Sequence, residues 1–332
     1  MSYQTIGVIG AGAWGTALAQ TLASSGRDVT IWSFEPDVAD AINTDHVNTR
    51  YLDGVPLDPA LRATSNPADL AKSDAILSVA PAQHTRGTLQ AFAPHIADGT
   101  PVLLCSKGIE ISSRAFMADV LRDVLPGAVP AVLSGPSFAA DVARGLPTAV
   151  TLACADAQIG ANLVTACAAP TFRPYLTDDV IGAEIGGAVK NVLAIVCGIV
   201  LGKGLGRSAH AAIMARGFAE MTRLGIALGA RPETLTGLCG LGDLVLTCSS
   251  EMSRNMSCGL ALGRGEQLDT IMQGRLAVTE GVATAPALKM LAQQHNVDMP
   301  ISFALADILA GEINVDDAMA DLMSREHRLE ID

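Results

Sequence analysis

The stretch Gly7-Val8-Ile9-Gly10-Ala11-Gly12-Ala13-Trp14-Gly15-Thr16-Ala17-Leu18-Ala19 decides the fold. A short apolar run, Ile6 to Ile9, reads as a buried strand, and the small and apolar residues from Thr16 to Ser24 read as a helix. Between them, Gly10, Gly12 and Gly15 have the G-x-G-x-x-G spacing. Each glycine has its own task. Gly10 permits the tight turn out of the strand. Gly12 lacks a Cβ, so a pyrophosphate can approach the backbone. Gly15 lets the helix pack close to the sheet. The free N–H groups and positive dipole end of that helix then face phosphate. The three glycines alone are weak evidence. Their place after a strand and before a helix makes this a dinucleotide site.

Working outward, Asp28-Val29-Thr30-Ile31-Trp32 reads as a second strand. It ends about twenty residues after the glycine turn, where a ribose-reading residue belongs. Ser33-Phe34-Glu35 follows. Glu35 either accepts from a ribose 2′-OH, which favours NAD, or caps the helix opening at Pro36. No arginine lies in this window to hold a 2′-phosphate, and NAD versus NADP stays open. Ala75 to Pro81 and Pro101 to Cys105 read as further strands. The second runs into Ser106-Lys107-Gly108-Ile109-Glu110. A lysine at the carboxyl end of a parallel strand lies where such sheets bind ligands, so Lys107 is a candidate. Ala131 to Ser134 leads into a Gly135-Pro136-Ser137 turn. Ser137 either caps the next helix or belongs to a turn whose N–H groups meet a substrate. Thr148 to Ala153 reads as the last strand. The alternation predicts an α/β fold with an N-terminal, Rossmann-type doubly wound sheet.

From about Asp178 strand signals fade and 3.6-residue periodicity takes over. The expected division is residues 1–177, a dinucleotide-binding domain, and 178–332, an all-helical substrate-binding and catalytic domain. The first helix is expected from Val180 to Gly202, with Ala183, Gly187 and Lys190 on one face. Lys190 lies among Ala188, Val189, Val192 and Leu193. Burial there lowers an ammonium's pKa toward the range useful for proton transfer. The bland alternative is a lysine whose stem lies along the helix edge with its head in water. Ser208 to Leu228 reads as a second amphipathic helix, in which His210 is structural. Gly237 to Cys248 is glycine-rich around Asp243, which is either a helix N-cap or the carboxylate that orients a catalytic lysine. Ser253-Arg254-Asn255 offers a fork of donors suited to phosphate. Val278 to Val282 reads as a short strand-like piece holding Glu280, and Met299-Pro300-Ile301 opens the last helical region.

Composition narrows the partners. The 332 residues carry a net charge of -12, and no basic block stands out, which argues against nucleic acid or an anionic membrane as the main partner. No secretory leader is read at the N-terminus. The longest apolar run, Val192 to Leu201, is 10 residues, too short to span a bilayer. The seven cysteines form no C-x-x-C pair, as expected of reduced thiols in the cytoplasm. The spacing of Cys239, Cys248 and Cys258 suits no zinc site, and no metal is expected.

These motifs, in this order, resemble the bacterial NAD(P)-dependent glycerol-3-phosphate dehydrogenase family. The matching segments are GAGAWGTALA, SKGIE, LSGPSFA, the GA..GG.VKN stretch around Lys190, GLGDL.LTC, SRN and TEG, covering nearly the whole chain. The resemblance implies reversible hydride transfer between NAD(P)H and dihydroxyacetone phosphate, giving glycerol 3-phosphate for glycerophospholipid synthesis. It also implies a cytoplasmic homodimer. Lys190 would be the proton donor, supported by Lys107 and Asp243. Lys107, Gly135, Ser137, Lys190, Asp243, Ser253, Arg254 and Asn255 would meet the substrate. Beside the glycine turn, Ala13, Trp14, Phe34, Tyr51, Lys107, Ala139, Arg254, Val278 and Glu280 would meet the cofactor. Two segments depart from the family pattern: SVAPAQ after Leu77, and Gly204-Leu205-Gly206-Arg207-Ser208, which lacks a customary asparagine. Two rival readings are a related dehydrogenase acting on another phospho- or hydroxy acid, and a non-catalytic nicotinamide sensor. The second conflicts with the joint presence of Lys107, Lys190 and Asp243.

Overall fold

The computed structural model describes residues 3–273 and 278–326. Among the described residues, eight strands form one sheet: β1 (Thr5–Ile9), β2 (Asp28–Trp32), β3 (Arg62–Thr64), β4 (Ala75–Ser78), β5 (Pro101–Leu104), β6 (Val129–Ser134), β7 (Thr148–Cys154) and β8 (Phe172–Thr177). Their order is β3-β2-β1-β4-β5-β6-β7-β8. The first six are parallel, with Val8 paired to Ile31 on one side and to Leu77 on the other. Around them lie α1 (Ala13–Ala23), α2 (Pro36–Asp45), α3 (Thr85–Phe92), α4 (Met117–Val124), α5 (Ala139–Ala143) and α6 (Ala157–Cys167). Parallel strands covered on both faces must be apolar on both faces. Val8, Leu77 and Leu103 accordingly join one core cluster, and Ile9, Ile76, Val102 and Leu104 another. The strand order reverses at β1 and β4, opening a crevice at their carboxyl ends beside the glycine turn.

The helical part comprises α7 (Val180–Gly202), α8 (Gly206–Ala227), α9 (Pro232–Thr236), α10 (Asp243–Ser249), α11 (Arg254–Gly263), α12 (Leu268–Gln273), α13 (Glu280–Gln294), α14 (Pro300–Ala310) and α15 (Val315–Ser324). One π-helical turn, Leu238–Gly242, precedes α10. The 23-residue α7 is apolar apart from Glu184, Lys190 and Asn191 because it is the core of this part: 83% of its most hydrophobic window is buried in protein. By length and mean hydropathy it passes as a bilayer-crossing helix, although its longest unbroken apolar run does not. Helix α11 crosses it in backbone contact. A Cβ on Gly259 would overlap the Ile195 carbonyl oxygen, and one on Gly198 would overlap that of Met256.

Several expectations are corrected. Thr148 to Ala153 is not the last strand. β8 follows, and β7 runs antiparallel to β6. β8 is an edge strand interrupted by Pro174 and alternates buried Phe172 with exposed Arg173, so it lacks the continuous apolar run of the inner strands. β3 is only three residues long and no more than half-buried. Val278 to Val282 is not strand-like: Glu280 opens α13 after Thr279, and an acid in a first turn suits the helix dipole. The glycine-turn helix begins at Ala13 rather than Thr16.

Candidate active site

The glycine turn is built as its spacing requires. Gly10 has φ 111°, a left-handed conformation that favours glycine. A Cβ on Gly15 would overlap the Gly10 carbonyl oxygen, so helix and turn touch through backbone. A Cβ on Gly12 would meet nothing within 4 Å, which leaves an open cradle. Gly12 precedes α1 with no side-chain cap and no acid in the first turn. The N–H groups around Ala13 and Trp14 are therefore available to an anion. At the end of β2, Phe34 is 79% exposed and edge-on to Trp32, a bare aromatic face beside the turn. Tyr51 lies there too, its hydroxyl donating to Glu35 Oε1 at 2.7 Å. Glu35 precedes α2 but makes no side-chain cap. Arg50 is also brought to this strand end, 4.0 Å from Glu35, where the sequence window showed no arginine.

On the far side of the crevice, Glu280 Oε1 accepts from the Ala82 N–H at 3.1 Å. Its Oε2 is buried without a hydrogen-bond partner among the described residues, as is the Thr284 hydroxyl. Both lie close to Gly108, where a Cβ would come within 3.3 Å and 3.2 Å of them respectively. Burial raises the Glu280 carboxyl, and the Arg254 charge partly offsets this. An open glycine cradle, an uncapped helix start, an exposed aromatic ring and an unpartnered buried carboxylate oxygen fit a bound NAD or NADP.

Between these groups lies a buried charge triad. Lys107, just past β5, donates from Nζ to Asp243 Oδ2 at 2.7 Å and to the Gly135 carbonyl at 3.1 Å. Lys190, midway along α7, donates to Asp243 Oδ1 at 2.6 Å and to Thr247 Oγ1 at 2.9 Å. Asp243 is 1% exposed and Lys190 7% exposed, so the bland reading of a head-in-water lysine fails. Asp243 is the first residue of α10, not its N-cap, which is Gly242. Burial pushes the Lys190 ammonium down to about 8, outweighing the pull of Asp243, and Lys107 pushes the same way. Burial pushes the Asp243 carboxyl up, but the two lysines together hold it below the usual carboxylate range. One carboxylate facing two ammonium groups leaves one positive charge uncompensated in a nearly dry place. That charge favours any reaction in which an oxygen gains negative charge.

Small residues make this approach possible. A Cβ on Gly187 would lie 2.9 Å from Ser134 Oγ and 3.3 Å from Lys107 Cγ. Gly135, with φ 147°, brings its turn against β7. Ser137 does not cap α5; its hydroxyl donates to the Gly135 carbonyl at 3.0 Å. Ala139 opens α5, and Val278 is partly exposed ahead of α13. In the Ser253-Arg254-Asn255 group the three side chains diverge. Ser253 caps α11, accepting from the Met256 N–H. Arg254 is exposed at the helix start. Asn255 is buried, donating to Asn191 Oδ1 and accepting from the Gly281 N–H, both at 2.9 Å. Asn191 in turn donates to the Lys107 carbonyl at 3.1 Å. Sequence reasoning assigned no role to Thr247 or Asn191. Thr247 carried a usable signal, lying four residues after Asp243 on the same helix face. His210 is buried, its ring bonded to the Cys248 carbonyl at 2.8 Å.

Residues 5–160 match the family described as NAD-dependent glycerol-3-phosphate dehydrogenase N-terminus, and residues 179–320 match its C-terminus. The chain is 66% identical to glycerol-3-phosphate dehydrogenase [NAD(P)+] of Maricaulis maris, covering 99% of this chain and 98% of the relative. It is 63% identical to the enzyme of the same name from Hyphomonas neptunium, with the same coverage. The crystal structure of glycerol-3-phosphate dehydrogenase from Coxiella burnetii superposes with a TM-score of 0.93 at 39% identity, covering 98% of this chain and 99% of that one. The cradle, the lysine–aspartate triad and these full-length matches agree, and the chain belongs to the NAD-dependent glycerol-3-phosphate dehydrogenase family.

Proposed function

We propose that this chain reduces dihydroxyacetone phosphate to glycerol 3-phosphate reversibly, with Lys190 as the proton donor. The observation that carries the reading is the convergence of Lys107 and Lys190 on Asp243 at the crevice that the glycine turn opens. Bound NAD(P)H supplies the hydride. Lys190 gives a proton from Nζ to the substrate ketone oxygen and takes it back in the reverse direction. Its lowered pKa makes that proton easy to release near neutral pH. Asp243 and Thr247 hold Nζ in place. Lys107 stabilises the negative charge that develops on the oxygen. Arg254, at the start of α11, clamps the substrate phosphate, and the Gly135–Ser137 turn helps to seat it. In this reading residues 1–177 bind the dinucleotide and 178–332 supply the proton donor and phosphate clamp. The product enters glycerophospholipid synthesis, and the enzyme works as a cytoplasmic homodimer.

The test is the oxidation of NADH and NADPH with dihydroxyacetone phosphate, on wild type and on Lys190→Ala. Turnover by wild type that is lost in the variant, with cofactor binding retained, supports reaction and role together. No wild-type turnover with either cofactor rejects the reaction. Full turnover in the variant rejects Lys190 as donor.

A further inference from the structure

The carboxyl end of β2 carries a charged cluster that no single sequence window contains. Ser33 is buried there, its hydroxyl accepting from the Glu35 N–H at 3.2 Å, and Glu35 is tied to Tyr51. Arg50 lies over the Tyr51 ring, 5.5 Å from its centroid. Its guanidinium faces two carboxylates, Glu35 at 4.0 Å and Asp37 at 3.7 Å. A buried amide fixes the position of this segment. Asn48, 2% exposed, donates to the Ala11 carbonyl at 2.9 Å and to Thr16 Oγ1 at 2.8 Å, and accepts from the Tyr51 N–H at 3.2 Å. The backbone at Arg50 is thereby held beside the glycine turn, although it follows Gly15 by 35 residues in sequence.

Neither ion pair of Arg50 is closed. Both are longer than the roughly 2.7–2.9 Å of a charge-assisted hydrogen bond. The Arg50 side chain is 45% exposed, and exposed pairs of this kind contribute little. The guanidinium can therefore turn to a better anion at small cost. In this class of fold, the second strand's end meets the adenosine ribose. An acid there accepts from the 2′-OH, whereas an arginine there holds a 2′-phosphate. Here both residue types stand side by side.

We propose that Glu35 and Arg50 form a two-way reader of the ribose: Glu35 accepts from the 2′-OH of NADH, and Arg50 leaves its acids to hold the 2′-phosphate of NADPH. The proposal rests on the reading of the glycine turn as a nicotinamide dinucleotide site. A 2′-phosphate brings further negative charge toward Glu35 and Asp37, so NADPH depends on Arg50 in a way that NADH does not.

Isothermal titration calorimetry of the full-length protein with NADH and with NADPH tests this without substrate. Arg50→Ala is expected to raise the ratio Kd(NADPH)/Kd(NADH) by about tenfold, the worth of one charge-assisted phosphate contact. Glu35→Gln is expected to lower the same ratio, and Arg50→Lys to restore part of it. An Arg50→Ala variant that weakens both cofactors equally, or leaves the ratio where it was, overturns the proposal and makes Arg50 a support for Tyr51. A wild type that binds neither dinucleotide overturns the underlying site reading, and this proposal with it.

Discussion

At the residue scale, the proposed chemistry depends on what burial does to Lys190. An ammonium taken out of water loses hydration, and a single carboxylate shared with Lys107 restores only part of it, so its pKa falls to about 8. Below that pH Lys190 carries the proton that the proposed reduction step needs. The rate of reduction is therefore expected to hold steady on the acid side and to fall as pH rises through about 8, while oxidation of glycerol 3-phosphate rises. Pre-steady-state rates of both directions against pH check this. Thr247 accepts from the ammonium and so favours the charged form. Thr247→Val should move the same limb to lower pH, and an unmoved limb would remove Thr247 from the proton path. Lys190→Ala should lower kcat by about 10²–10⁴-fold, the usual worth of a positioned acid.

At the element scale, the site is a matter of how closely α7 and α11 cross. Lys190 rides on α7, and Arg254 and Asn255 open α11. Gly198 and Gly259 let the two backbones touch, which sets the distance between Lys190 and Arg254, the proposed proton donor and phosphate clamp. Gly259→Ala places a methyl group on the Ile195 carbonyl. Forced overpacking of this kind costs about 1–3 kcal/mol. The expected result is a lower melting temperature together with a higher KM for dihydroxyacetone phosphate, because the displaced α11 carries Arg254, the proposed phosphate clamp. A variant with lowered stability but wild-type KM would show that the crossing serves folding alone. The approximate span of α7, Val180–Gly202, was legible in its long 3.6-residue apolar pattern. The start of α13 was not: five residues rich in β-branched side chains look like a strand, and the Gly281 N–H bond to Asn255 that helps to position the helix comes from α11.

At the scale of the whole molecule, the sheet and the helical part are joined by acids, one of them half-buried at the seam. Glu184, on α7, accepts from the Ala118 N–H in the first turn of α4 at 2.8 Å. Burial pushes its carboxyl up from the ordinary 4.5 to about 8. The folded protein then keeps a proton that the unfolded chain has already lost between those values. Its contribution is present in full below about 4.5 and is lost as pH rises toward 8. The stability of wild type relative to that of Glu184→Gln, read from urea unfolding, should therefore fall across that window and level off above it. A pH-independent difference would mean that Glu184 is ionised in the fold. The residues of the glycine turn, Lys107, Lys190 and Asp243 were all readable as candidates from the sequence, because strand, turn and helix periods are local properties of the chain. The two-part architecture was readable for the same reason. The pairing of Lys107 with Asp243 spans 136 residues, the Lys190 pair spans 53, and Arg50 reaches Glu35 from another loop. Only tertiary packing decides such contacts, because they depend on which carboxyl strand ends and which helix faces share one crevice. The apolar neighbours of Lys190 along the chain already pointed to burial and a lowered pKa, but how far it falls is set by the elements that folding packs around it and by the sharing of Asp243 with Lys107.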